Sequence, residues 1–252
     1  MYFKERLAAG QPLIGGGIYS GSSDVVEWAG RGMDWFWWDA QHTQGDWREI
    51  LLGVRSAQAY GIPVLIRTWT HDGGTIERLL DTGAEGIIVP MVDTAEEAAR
   101  MVARCYYPPL GRRSIGSAHT ERIEQDPHEW NRRIVTVMQI ETPEGLANAE
   151  AIAAVPGVDA LHLGMRDLAM RMGRAADDRG VHTVVGDAVE RMMEACRTHG
   201  KAAAVVVSSE EELVARLRDG YRLICAGMDL NWIAEGWRRM REAAQKELDV
   251  RR

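Results

Sequence analysis

The chain has 252 residues, 46% of them apolar, and a formal net charge of −7. That length fits one large domain or two small ones with a sizeable core, and the negative charge argues against nucleic acid, whose binding rests on Lys and Arg contacts to phosphate. No apolar run approaches the roughly 18 residues of a membrane span. Cys105, Cys196 and Cys225 are isolated, odd in number and without CxxC spacing, which argues against a disulfide framework or a thiolate zinc site. The opening residues, MYFKERLAAGQPLIGGG, lack the apolar core of a secretory signal. The expectation is therefore a reduced, cytoplasmic protein without membrane or nucleic-acid partners.

In chain order, the first predicted strand is PLIGGGIY (12–19), followed by a helix over 24–31. A second strand, WFWWDA (35–40), precedes a helix over 46–60, and PVLIRT (63–68) precedes a helix over 75–82. GIIVPMV (86–92) leads into a helix over 94–105 that opens with the capping-box pattern TAEE. Then come IVTVMQIE (134–141) with a helix over 143–155, VDALHLG (158–164), a helix over 184–199, and KAAAVVV (201–207) with a helix over 209–219. YRLICAGM (221–228) and a helix over 231–248 close the series. The strands are nearly continuous apolar runs, as in parallel sheets covered on their outer face. Gly61, Gly83, Gly200 and Gly220 each stand between a helix and the next strand, where a left-handed cap is common.

Eight β-then-α units in this length describe one (β/α)8 barrel over residues 1–252, with a doubly wound open sheet as the alternative. Residues 106–133 interrupt the rhythm. A connection that long is expected to be a lid over the site or disordered.

In a (β/α)8 barrel the active site lies at the C-terminal strand ends. Those ends carry Asp39 and His42, Arg67, Pro90, Gln139 and Glu141, then Gly164 followed by Asp167. The aromatic run 35–38 is expected to form a wall whose polar tail faces the pocket. Gln139 and Glu141, two apart on a strand, share a face, and Asp167 belongs to the next strand end. Two carboxylates and an amide oxygen suit a hard cation such as Mg²⁺ or Mn²⁺; a carboxylate pair held by Arg or backbone donors is the alternative. His42 reads either as a general base or as a residue capping the turn into the next helix. Asp81 reads either as a partner that orients a histidine or as a solvated helix end. Arg67, buried in a barrel mouth, requires an anion, supplied by a protein carboxylate or by substrate. His162 reads as a satisfied core residue, and His71, His119, His128, His182 and His199 carry no spacing signal. The glycines at 15–17 do not open a helix, so a dinucleotide site is not expected.

Several long segments in order resemble the HpcH/HpaI aldolases, metal-dependent pyruvate aldolases of the phosphoenolpyruvate/pyruvate barrel superfamily. They are LAAGQPLIG, WWDAQHT, LLDTGAEGIIVPMVDTAEEA, YPPLGRRSIG and MQIETPEGLANAEAIAAVPGVDALHLGMRDL. The resemblance implies that Glu141 and Asp167 hold a divalent ion (Mg²⁺, Mn²⁺ or Co²⁺) and that Gln139, Gly164, Met165 and Arg166 line the substrate pocket. It also implies that Arg67 stabilises the enolate and that His42, paired with Asp81, is the acid/base group. The resemblance further implies a hexamer, a trimer of dimers with an exchanged C-terminal helix, in which Asp81 acts either within its own subunit or across an interface.

The chain departs from the family pattern at Met165, Ala169, Ser114, Leu110 and Gln41. The implied reaction is reversible cleavage of a 4-hydroxy-2-oxo acid to pyruvate and an aldehyde, with His42, directly or through a water, taking the 4-hydroxyl proton. A CoA-ester lyase of the citramalyl or malyl type, a 2-oxo acid decarboxylase and a non-catalytic binding barrel are the alternatives. Met165, Arg166 and Ser114 are expected near the site, Arg113 and Arg166 near enough to receive an acidic acceptor, and Trp37, Trp69 and Trp130 on an aromatic rim that favours uncharged aldehydes.

Overall fold

The computed structural model describes residues 1–43, 45–173 and 186–250. A short helix α1 (Phe3–Ala8) precedes β1 (Leu13–Ile18) and α2 (Ser23–Ala29), and a 3₁₀ turn, Gly30–Gly32, leads to β2 (Trp35–Asp39). Next come α3 (Trp47–Ala59), β3 (Val64–Arg67), α4 (Gly73–Leu80), β4 (Gly86–Val89) and α5 (Ala95–Cys105). After two short helices, α6 (Ala118–Ile123) and α7 (Pro127–Arg133), follow β5 (Val135–Ile140), α8 (Pro143–Ala147), α9 (Ala149–Ala153), β6 (Ala160–Leu163) and α10 (Met165–Arg171). The last elements are α11 (Gly186–Thr198), β7 (Ala202–Val206), α12 (Glu210–Asp219), β8 (Leu223–Met228) and α13 (Asp229–Val250).

The strands pair in sequence order, all parallel, and β8 closes on β1. The protein is a closed (β/α)8 barrel, as the run of apolar segments predicts. Alternation along each strand splits the core in two. Leu13, Trp35, Trp37, Leu65, Ile88, Val137, Ala160 and Ala204 fill the lumen, and Phe3 and Leu7 of α1 plug one end. Phe36, Trp38, Ile66, Ile87, Met138 and Leu161 point outward and pack under the helices. Burial on both faces explains why the strands lack polar alternation.

Helix starts follow local chemistry. Ser22, Asp46, Asp72, Thr94, Ser117, Asp126, Thr142 and Ser209 each accept a first-turn backbone N–H through the side chain, which satisfies donors the helix leaves unpaired. Gly61, Gly83, Gly200 and Gly220 have positive φ, as expected. His182 and the first two residues of the helix expected over 184–199 lie outside the described residues.

The 106–133 segment corrects an expectation. It carries α6 and α7, and it joins the end of a helix to the start of a strand. In a parallel barrel such a connection lies at the N-terminal face, away from the strand ends that hold the site. Its partners agree: Tyr2 bonds Glu129 at 2.8 Å, and the Ser117 hydroxyl donates to the Asp81 carbonyl at 3.1 Å. It is no lid over its own barrel.

Candidate active site

The WFWW run is two surfaces interleaved. Trp35 and Trp37 point into the lumen, Phe36 and Trp38 out under the helices. Trp37 reaches across from β2 to meet His162 of β6 edge-on, ring centroids 5.2 Å apart. These two form the floor of the upper barrel, so Trp37 is not a rim residue. His162 is a core residue, as expected, but not a satisfied one: its Nδ1 has no partner among the described residues, and burial pushes its pKa down to about 3, so it is neutral.

Asp39 comes next on the inward face. It pairs in register with Arg67 of β3, accepting from Nε at 2.9 Å and from Nη2. Both side chains are buried, and the guanidinium lies over the Trp37 ring, 5.4 Å from its centroid. The anion that Arg67 required is thus a protein carboxylate. Losing either partner would strand a buried charge. Asp39 also folds the chain back, accepting from Gln41 N–H at 2.9 Å and His42 N–H at 3.3 Å while its carbonyl takes the Thr43 hydroxyl at 2.6 Å. One carboxylate therefore aims Arg67 and shapes the turn that carries His42. The His42 side chain is exposed at the mouth. It does not cap α3, because Asp46 does so through Arg48 N–H and Glu49 N–H.

Gln139 and Glu141 share the inward face of β5. Gln139 Nε2 donates to Glu141 Oε1 at 2.7 Å, and Met91 N–H donates to Oε2 at 2.9 Å. A Cβ on Gly164 would fall on the Glu141 carboxylate, so only glycine lets β6 pass this close. Burial pushes the Glu141 carboxyl up to about 7; the Asp167 charge adds to the rise, while Met91 N–H, Arg67 and Arg171 oppose it. Asp167 stands exposed in the first turn of α10, preceded by half-buried Met165 and exposed Arg166.

Among the described residues the buried Gln139 Oε1 and Trp37 Nε1 have no partner, like His162 Nδ1. Among the described residues no three His, Cys, Asp or Glu side chains cluster as metal ligands. The donor set here is two carboxylates and an amide oxygen. A buried carboxylate beside an amide oxygen that has no partner among the described residues fits a hard divalent cation.

Other expected neighbours do not gather here. Asp81 follows α4 at the N-terminal face, where Arg113 Nη2 donates to it at 2.9 Å, so within one chain it cannot pair with His42. Arg113, Ser114 and Leu110 share the 106–133 segment at that end, as does Trp130, buried with its indole N–H on Thr120 and Glu124 carbonyls. Of the three expected rim tryptophans only Trp69 stands at the mouth, 44% exposed and edge-on to Trp47. Three contributors carried no clear signal in the sequence. Asp39 was visible only as a strand-end acid. Met91, with φ of +55°, and His71, bonded to the Pro90 carbonyl, act through loop contacts.

A conserved-family model described as HpcH/HpaI aldolase/citrate lyase matches residues 23–235. The chain belongs to the HpcH/HpaI aldolase/citrate lyase family. A 4-hydroxy-2-oxovalerate aldolase of Rhodococcus jostii is 35% identical over 92% of this chain and 92% of its own. A 4-hydroxy-2-oxo-heptane-1,7-dioate aldolase of Salmonella arizonae is 34% identical over 93% of this chain and 90% of its own. A family structure from Burkholderia cenocepacia superposes with a TM-score of 0.88 at 28% identity, covering 96% of this chain and 98% of the other.

Proposed function

We propose that the protein is a divalent-metal-dependent aldolase that cleaves 4-hydroxy-2-oxo acids reversibly to pyruvate and an aldehyde. The observation that carries this reading is the buried Glu141 carboxylate with Gln139 Oε1 and Asp167 at the strand ends, facing the Arg67–Asp39 pair. The names of the relatives support the substrate class. Glu141 and Asp167 would hold the cation, with Gln139 Oε1 beside them, and Mg²⁺, Mn²⁺ and Co²⁺ all suit these donors. When bound, the cation supplies Lewis acidity toward a 2-oxo acid.

The chain's own residues do the rest. Arg67, fixed by Asp39, binds the 2-oxo acid and stabilises the negative charge that develops as the C3–C4 bond breaks. That electron pair becomes the pyruvate enolate, and C3 is then protonated. His42 takes the 4-hydroxyl proton as the C4 carbonyl forms, a role within the usual reach of a positioned histidine. Gly164 and Met165 border the pocket at the end of β6, with Arg166 at its outer edge. The Trp37–His162 floor closes it from below and excludes water.

Asp81, at the far end of its own barrel, serves a neighbouring subunit's His42 in this reading. An assembly such as a hexamer is supported by α13, whose Trp237 and Met240 are 76% and 73% exposed. Three free, buried thiols support a reducing compartment, the cytoplasm.

The test is a cleavage assay on 4-hydroxy-2-oxo acids of graded length, read as pyruvate released, before and after metal stripping. Metal-dependent release is expected. Undiminished cleavage after exhaustive chelation would overturn the metal role, and no cleavage of any such acid with metal present would overturn the reaction.

A further inference from the structure

We propose that His71 is a positioning residue for Glu141, acting through the peptide group that joins Pro90 to Met91. His71 Nε2 lies 2.6 Å from the Pro90 carbonyl oxygen. A carbonyl only accepts, so Nε2 carries the proton. The N–H of the same peptide group, on Met91, donates to Glu141 Oε2 at 2.9 Å. Imidazole, peptide and carboxylate therefore form one chain of hydrogen bonds, running from the β3–α4 connection through the β4–α5 connection to the end of β5.

Two features make this more than a loop contact. Met91 is the one described non-glycine residue with positive φ, a conformation that persists only where its surroundings impose it. Here the two ends of the peptide group are held by His71 and Glu141. Second, donation to a carbonyl polarises the amide and strengthens its N–H as a donor. His71 thereby strengthens the Met91 N–H that fixes the position of Glu141 Oε2. Gln139 sets Oε1 of Glu141, and this chain sets Oε2.

The loop does not depend on His71 for its shape. Thr68 Oγ1 donates to the Thr70 carbonyl at 3.1 Å, Asp72 N–H donates to Thr70 Oγ1 at 3.1 Å, and Asp72 caps α4 through Thr75 N–H at 2.7 Å. Substitution should remove the donor without unfolding the connection.

The inference rests on Glu141 as a cation ligand. Its test uses substrate-free protein: Mn²⁺ affinity from the spin-resonance signal of free Mn²⁺, and hydrogen exchange at the Met91 amide, for the wild type, His71→Ala and His71→Gln. The alanine variant should bind Mn²⁺ about 10-fold more weakly, the usual scale for losing a group that orients a ligand, and should exchange the Met91 amide faster. His71→Gln, whose terminal amide can donate from a similar reach, should restore both. Where His71→Ala loses its fold, His71→Phe keeps the ring volume without a donor and should show the same losses. Wild-type affinity and exchange in the donor-less variant, or a glutamine variant no better than it, would overturn the proposal. If the wild type itself fails to bind Mn²⁺, the ligand role of Glu141 falls, and Met91 exchange still decides the link to His71.

Discussion

The two ends of the barrel hold similar side chains to opposite purpose. At the N-terminal face Lys4 Nζ donates to Tyr106 Oη at 2.6 Å, to the Ile134 carbonyl at 2.9 Å and to Asp159 Oδ2 at 3.0 Å. All three ammonium donors are used, and Asp159 also accepts from Thr136 N–H. At the C-terminal face Gln139 Oε1, His162 Nδ1 and Trp37 Nε1 have no partner among the described residues, and Glu141 resists ionising. A closed polar network contributes stability, whereas an open one costs stability and remains available to a ligand. The contrast predicts that changes in the Gln139–Glu141 group cost activity and changes in the Lys4–Asp159 network cost stability.

The sharpest break of that contrast is at Glu141 and Asp167. Either changed to alanine should abolish cleavage, measured as pyruvate released, while the melting temperature without metal stays level or rises. A fall of many degrees would make these structural carboxylates. His42→Ala should lower kcat by about 10²-fold, the scale of general acid/base catalysis, with Mn²⁺ binding unchanged by calorimetry. Wild-type turnover would place the base elsewhere.

The converse change is Lys4→Met, which leaves Asp159 without its cation. The pair is partly exposed, at 22% and 17%, so the loss in denaturant unfolding should be about 3 kcal/mol or less, with kcat per folded molecule unaltered. An activity loss at constant stability would contradict the division of roles.

The subtlest effect is on pH dependence. In metal-free protein Glu141 keeps its proton to about 7 against an ordinary 4.5. Its favourable contribution is therefore complete below the lower value and lost as pH rises through the upper one, on the order of 3 kcal/mol. His162 titrates near 3 against an ordinary 6.5. Its contribution is complete above 6.5 and lost as pH falls toward 3. Between pH 4.5 and 6.5 the two effects oppose each other, so melting temperatures of the single variants separate them. Glu141→Gln should leave only the rise from about pH 3 to 6.5, and His162→Phe only the fall from 4.5 to about 7. A fall between 4.5 and 7 that survives Glu141→Gln would assign it to another group.

Much of this was legible in the sequence, for reasons that also mark where legibility stopped. All eight strands were visible because a parallel strand buried on both faces must be continuously apolar, and the cap glycines marked the starts of β3, β4, β7 and β8. The Gln139, Glu141 and Asp167 positions followed from side-chain period and strand order. Helices α6 and α7 were missed because AHTERI and PHEWNRR are short, charged and held by their Ser117 and Asp126 caps. The misplaced lid had a usable signal: a segment leading into a strand belongs at the N-terminal face. The Asp39–Arg67 pair depends on register between strands, and the His71–Pro90 contact joins two connections. Neither leaves a spacing pattern in the chain.

The most direct test of the central claim is exchange of pyruvate methyl protons in D₂O, followed by proton NMR, because it isolates enolate formation from the identity of the aldehyde. Metal-stripped wild type should leave the methyl signal unchanged, added Mn²⁺ should restore exchange, and Glu141→Ala should stay silent with or without Mn²⁺. Full exchange in the stripped protein, or wild-type exchange in Glu141→Ala with Mn²⁺, would contradict the account.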